Sequence, residues 1–233
     1  MCNMKTQDNY NFKVIARYEG QLKQKFGVPR QAGLAKDLKG RIVFEKEYRD
    51  RSAFRGLETR SHIWLIFVFS ENKAQSKFKP TVRPPRLGGD KRMGVFATRS
   101  PNRPNRIGLS AVKIDKLLWD DDLGPLIYVS GADLVDNTPI LDIKPYIPYA
   151  DSIATAQAGV FSNKPEAKLE TVFEADNIFN AEDTKAIEEV LAQDPRPSYQ
   201  DDSDREYGFI YKDYNLVFKV KDNTAYVIRI EKL

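Results

Sequence analysis

Between Lys77 and Arg106 the chain carries nine basic residues, Lys77, Lys79, Arg83, Arg86, Lys91, Arg92, Arg99, Arg103 and Arg106, against the single acid Asp90. Arginine outnumbers lysine there six to three, and its planar guanidinium both grips phosphate in a paired fashion and stacks on unpaired bases. The composition points to a nucleic acid. Prolines and glycines interleave with the charges, in Arg83-Pro84-Pro85-Arg86-Leu87-Gly88-Gly89 and in Thr98-Arg99-Ser100-Pro101-Asn102-Arg103-Pro104-Asn105-Arg106-Ile107-Gly108. Proline fixes its own φ and restricts its predecessor, so these loops hold their shape before a ligand arrives and lose less entropy on binding. Solubility asks for the charges but not for the prolines. His62 is the one histidine, the residue type most often used as a general base, and so invites that role. At the mouth of an apolar strand it also reads as hydrogen-bonded scaffolding.

The elements that must hold these residues are short. Phe12 to Tyr18, Arg41 to Tyr48, Ile63 to Phe69, Gly94 to Thr98, Gly108 to Leu118 and Ile127 to Val135 are rich in β-branched and aromatic residues and read as strands, punctuated by Gly20, Pro29, Gly40, Gly56 and Gly124-Pro125. No long amphipathic helix intervenes to make a parallel crossover. The expected fold is mainly β: a compact antiparallel β-barrel over residues 10–150 and a small α+β C-terminal domain over 165–233, joined across Asp151 to Pro165. Ile63 to Phe69 is apolar at nearly every position, which predicts a central strand buried on both faces. Asn180 to Gln193 reads as a helix, opened by Asn180 or Ala181 with Glu182 and Asp183 opposing its positive end. Tyr207 to Val220 and Ala225 to Ile230 read as a hairpin around Asp222-Asn223.

The formal charge of +4 hides an asymmetry, because residues 1–150 carry a net +11 and residues 151–233 a net −7. A basic face beside an acidic unit again suggests a polyanionic partner. The longest apolar run has seven residues, far from the roughly 20 that a membrane helix needs. No export signal is read at the N-terminus, so a cytoplasmic protein is expected. Cys2 is the only cysteine and has no partners at metal-ligand spacing, so neither a disulfide nor a metal site is expected.

These segments closely resemble the TrmO family of S-adenosylmethionine-dependent tRNA methyltransferases. The resemblance rests on Val28-Pro29-Arg30-Gln31, Arg55-Gly56-Leu57-Glu58, Ser61-His62-Ile63-Trp64, Arg83 to Gly89, Gly94 to Leu109, Asp133 to Tyr146 and, further on, Val190 to Tyr199. It implies a homodimer that methylates N6 of threonylcarbamoyl-adenosine beside the anticodon of threonine tRNA. The residues themselves name no cofactor, since no glycine fingerprint joins a strand to a helix. Methyl transfer asks for alignment more than for a strong acid or a metal. Carried over by the resemblance, the S-adenosyl-L-methionine site comprises Pro29, Arg30, Gln31, Ser70, Glu71, Arg99, Leu109, Ser130, Gly131, Ala132 and Asp133, with Arg99 suited to grip a carboxylate.

Asp133, Asp142 and His62 compete as proton acceptors, beside Asp136, whose Asp136-Asn137-Thr138-Pro139 setting looks like a turn. Arg83, Arg86, Arg92, Arg103 and Arg106 are assigned to RNA, and Lys144 and Tyr146 to substrate contact. The chain departs from the family pattern at Arg106, where proline is usual, and at Asn137, where glycine is usual. Two other readings stand beside this one: a noncatalytic RNA-binding β-barrel, and an interaction module whose basic face docks on the acidic domain of a second chain.

Overall fold

The structure, a computed structural model, describes residues 9–73, 76–84, 91–197, 200 and 202–233. Arg86, Gly88-Gly89 and Cys2 lie outside them. Six strands, β1 (Ala16–Gly20), β2 (Lys39–Phe44), β3 (His62–Val68), β6 (Ile107–Asp120), β7 (Gly124–Ser130) and β8 (Thr138–Pro145), close a barrel in the order β1-β2-β7-β6-β3-β8. Every pairing is antiparallel. Between β3 and β6 in the chain lies a two-stranded ribbon, β4 (Thr81–Val82) paired with β5 (Met93–Gly94), within the basic segment.

The interior is filled by alternate residues, among them Ile42, Ile63, Leu65, Ile127, Val129 and Ile140, all fully buried. On β3 only Ile63, Leu65 and Phe67 are buried; Trp64, Ile66 and Val68 on the outer face are half-covered. The strand expected to be buried on both faces is therefore buried on one. Two further expectations are corrected. Of Gly94 to Thr98 only Gly94, the end of β5, is in a strand: Val95 N donates to Pro80 O at 2.9 Å, and Thr98 N and Oγ1 both turn back to Val95 O, closing Val95–Ala97 into a 3-10 turn. Conversely, β8 was not anticipated, because Pro139 and Asp142 argue against a strand. Pro139 is the second residue of β8, near the strand start, where a missing donor is tolerated, and a bulge between Ile66 and Phe67 adjusts the register.

Past a four-residue helix α1 (Pro148–Asp151), the C-terminal domain is a four-stranded sheet of β9 (Glu170–Phe173), β10 (Tyr207–Tyr211), β11 (Tyr214–Lys221) and β12 (Thr224–Lys232) in the order β10-β11-β12-β9, with β9 parallel to β12. Helix α2 (Ala181–Ala192) starts where its cap predicts, with the Asn180 side chain accepting from Asp183 N at 2.8 Å. Its buried stripe is Ala186, Ile187, Val190 and Leu191. Asp222 and Asn223 both have positive φ, as a tight hairpin turn demands. A second turn at Lys212 divides the expected first strand into β10 (Tyr207–Tyr211) and β11 (Tyr214–Lys221).

Residues 21–38 belong to both units. Leu22, Ala35 and Leu38 are buried in the C-terminal core, and Leu22 bridges to Tyr211. Gln21 Oε1 accepts from Lys39 N while its amide donates to Asp183. The intervening Pro29 to Gln31 is thereby carried to the barrel rim. Among the described residues no helix is long and apolar enough to cross a membrane.

Candidate active site

Where β3 leaves the barrel and β6 enters it, the two strands extend into loops that shape a cleft. Phe69 N continues the ladder by donating to Arg106 O at 2.9 Å. Arg106 itself has φ of 48° and turns its guanidinium back to donate to the Asn72 carbonyl. Arg103 similarly donates to Thr98 O at 3.1 Å, so the proline-rich loop is folded on its own arginines. On the other side Gly33 N donates to Gly131 O and Gly131 N to Leu38 O, which fastens the 29–38 segment to the barrel. Arg99 Nη1 donates to Gln31 Oε1 at 2.6 Å and bridges the two sides.

Pro29, Arg30, Gln31, Ser70, Glu71, Arg99, Leu109 and Asp133 all line this one cleft, which encloses about 770 Å³. Ser130, Gly131 and Ala132 do not. Ser130 Oγ donates to Asp115, Ala132 is buried in the barrel core, and the peptide groups of Gly131 bind the 29–38 segment from behind.

Asp133 is the electrostatic centre. Burial pushes its carboxyl above the usual range, opposed by hydrogen bonds from Ser110 and the Ala32 backbone and by the charge of Arg99. Ser110 Oγ donates at 2.6 Å. Ser110 was not anticipated as a site residue, although a signal existed: it is a hydroxyl at an inward position of β6, between Gly108 and Val112. Phe67 and Phe69, packed edge to face at 5.1 Å, supply apolar wall. An anion-favouring guanidinium, a partly desolvated carboxylate and aromatic surface together suit a ligand that is cationic in part, anionic in part and otherwise flat.

The cleft opens into a larger groove of about 2440 Å³, sharing Arg30, Gln31, Phe96, Thr98, Arg99 and Pro101 with it. Lys73, Lys77, Lys79, Arg83 and Arg92 line the groove from the barrel side, and Lys164, Lys168 and Arg196 from beyond the barrel, with Arg196 paired to Asp194 at 2.9 Å. The last three were missed, because they sit in the half of the chain whose net charge is negative; only folding brings them opposite the basic arm.

Two family models account for most of the chain: the tRNA-methyltransferase O N-terminal domain over residues 17–152 and the TrmO C-terminal domain over residues 160–233. The chain belongs to the TrmO family. An Escherichia coli (strain K12) protein named tRNA (adenine(37)-N6)-methyltransferase is 40% identical over 233 residues, covering 96% of this chain and 98% of that protein. A relative of the same name from Eikenella corrodens is 43% identical over 171 residues, covering 72% of this chain and 94% of its own. The solved structure of TrmO from Pseudomonas aeruginosa superposes with a TM-score of 0.78 at 28% identity, covering 97% of this chain and 99% of that one.

In this TrmO-family chain the remaining expected residues lie elsewhere. His62 stands at the far end of β3, five residues from the cleft residue Phe67, or roughly 16 Å along the strand. Its Nδ1 meets Ser61 Oγ at 2.9 Å, and its ring faces Tyr146. Tyr146 also packs on Trp64 at 5.5 Å, and Lys144 pairs with Asp142 at 3.2 Å on the outer barrel face. Asp136 holds a turn, accepting from Gly20 N at 2.9 Å and pairing with Lys23 at 2.9 Å. Within one chain, Asp133 alone of these acids and His62 reaches the cleft. Arg106 likewise serves as a backbone tie, where a phosphate contact was expected.

Proposed function

We propose that this chain is an S-adenosylmethionine-dependent tRNA methyltransferase acting on N6 of adenine 37, and that its substrate is threonylcarbamoyl-adenosine in threonine tRNA. The observation that carries the reading is the junction: a cleft holding Asp133 under Ser110 and facing Arg99 opens directly into a groove lined by lysines and arginines. When bound, S-adenosylmethionine supplies an electrophilic methyl on a positively charged sulfur. Arg99, held by Gln31, would bind its carboxylate, and Asp133 would balance its positive charge. Pro29 to Gln31, Ser70, Glu71 and Leu109 close around the remainder and exclude water.

The transfer forms a bond from N6 to the methyl carbon, breaks the bond from that carbon to sulfur, and releases the N6 proton. Asp133, buried and lining the cleft, would receive that proton. The basic groove holds the anticodon loop, whose unpaired bases can be splayed toward the cleft. Two copies pair through the outer face of β3, where Trp64 and Ile66 are half-covered. The protein works in the cytoplasm, where its substrate resides.

The test is mass spectrometry of nucleosides from unmodified and threonylcarbamoylated tRNA after incubation with isotopically labelled S-adenosylmethionine. Label confined to the carbamoylated adenosine supports the full reading. Label on both keeps the enzyme and discards the specificity; label on neither, with RNA still bound, leaves a noncatalytic RNA-binding barrel.

A further inference from the structure

Two phenylalanines at the root of the basic ribbon stand outside both hydrophobic cores. Phe78 precedes β4 and Phe96 follows β5; they are 57% and 73% exposed. Their rings stack on each other with centroids 6.1 Å apart and planes 24° off parallel, and neither belongs to either hydrophobic core. Yet the backbone beneath them is fastened. Val95 is buried, its N–H donates to Pro80 O, and Thr98 closes the turn that presents Phe96. Exposed rings on a held frame are a surface kept in place for something flat.

The surroundings say what. Lys77 and Lys79 flank Phe78 in the chain, and Lys73, Arg83 and Arg92 line the same groove. Such a density of positive charge suits a polyanion and disfavours an apolar protein surface. Phenylalanine offers no hydrogen bond, so it reads no base identity; it offers a π-face, which every nucleobase can use. Phe96 also borders both the cleft and the groove, so whatever stacks on it lies next to what enters the cleft. An adenine that swings out of a loop leaves its neighbours without a stacking partner.

We propose that Phe96, backed by Phe78, is a stacking platform for the unpaired nucleobase flanking the target adenine, filling the place which that adenine vacates. The proposal rests on the RNA-binding reading of the groove. Its test is a double-mutant cycle between protein and RNA. Affinities of the wild-type protein, F96L and F78L are measured for the threonylcarbamoylated anticodon stem-loop and for two versions made abasic on either side of the target, one at a time.

Stacking a base on an aromatic side chain is worth a factor of about 5 to 150 in affinity. F96L and one of the two abasic loops should each weaken binding within that range, with no further loss when combined. Phe96→Trp should restore binding, and F78L should leave affinity for S-adenosylmethionine alone unchanged. Additive losses, unaltered RNA affinity in F96L, or a changed oligomeric mass in F96L overturn the platform; the last would mean that the rings cover a second copy of the chain. The two levels separate cleanly. Wild-type binding of RNA that weakens with salt while F96L binds equally well removes the platform and keeps the groove, whereas no salt-dependent binding by the wild type removes both.

Discussion

Replacing Asp183 by alanine is expected to loosen more than the helix that carries it. Its buried carboxylate accepts from Gln21 Nε2 at 3.0 Å, Tyr211 Oη at 2.8 Å and Lys212 Nζ at 2.6 Å. The Lys212 side chain is 42% exposed and can turn to water. Tyr211 is fully buried and cannot, and half-buried Gln21 can only in part. A buried donor left without its acceptor costs about 1–3 kcal/mol, so the two together should cost about 3 kcal/mol, or roughly 100-fold in the folding constant. Asp183→Asn keeps one oxygen and should lose about half as much.

Urea unfolding followed by two signals makes the assay. Both tryptophans, Trp64 and Trp119, lie in the barrel, whereas α2 is the long helix of the C-terminal domain. Because Gln21 and Leu22 tie the two units together, tryptophan fluorescence and helical circular dichroism should shift to lower urea in step. A fluorescence midpoint that holds while the helical signal moves would refute the coupling, and a loss below about 1 kcal/mol in both would refute the magnitude.

Other consequences can be checked separately. Arg99→Ala should weaken S-adenosylmethionine binding by about tenfold or more, the worth of one charge-assisted pair; calorimetry with that ligand alone, without RNA, decides it. Asp133 must be ionised to face a cation, and its carboxyl is raised by burial, so cofactor affinity should fall on the acid side with a midpoint above the ordinary carboxylate value of about 3.9. Ser110→Ala should move that midpoint higher still; a flat profile down to that pH, identical in both proteins, would count against the role. The same raised carboxyl opposes folding: its stability contribution is best below the unfolded pKa and declines as pH rises through the folded one. Asp133→Asn should therefore raise the melting temperature of the unliganded protein at neutral pH while abolishing cofactor binding. Arg106→Pro should destabilise by about 3 kcal/mol, since proline cannot adopt the φ of 48° found there, whereas Arg106→Gly should be far milder; thermal unfolding compares them.

The barrel was legible because its strands are short, β-branched and punctuated, and α2 because Asn180 and the acids after it mark a helix start. Of the eleven cofactor residues that the family resemblance implied, eight line one cleft, since loops between neighbouring strands emerge at one end of a barrel. The far wall of the groove escaped notice because of distance in sequence. The three cations Lys164, Lys168 and Arg196 reach the groove only after the chain has folded back, and local charge counting hides them among acids. Lys144, Tyr146 and Asp142 fall within one continuous motif with Asp133, but an extended strand carries its residues away at about 3.3 Å each, so within one chain they do not line the cleft that Asp133 lines.

The wall of the cleft has a consequence for how such a site changes over generations. Gly108 lies across the ladder from Phe67, both line the cleft, and a Cβ at position 108 would overlap the Phe67 ring. A larger residue at 108 is tolerable only with a smaller one at 67, and either change alone leaves the barrel overfilled or hollow. The two positions thus form a single heritable unit, held still by an unfavourable intermediate on each mutational path. Leu109, next along and half exposed, carries no such constraint. Divergence in what the cleft admits is therefore expected to accumulate at position 109, and to appear at 67 and 108 only as paired replacement.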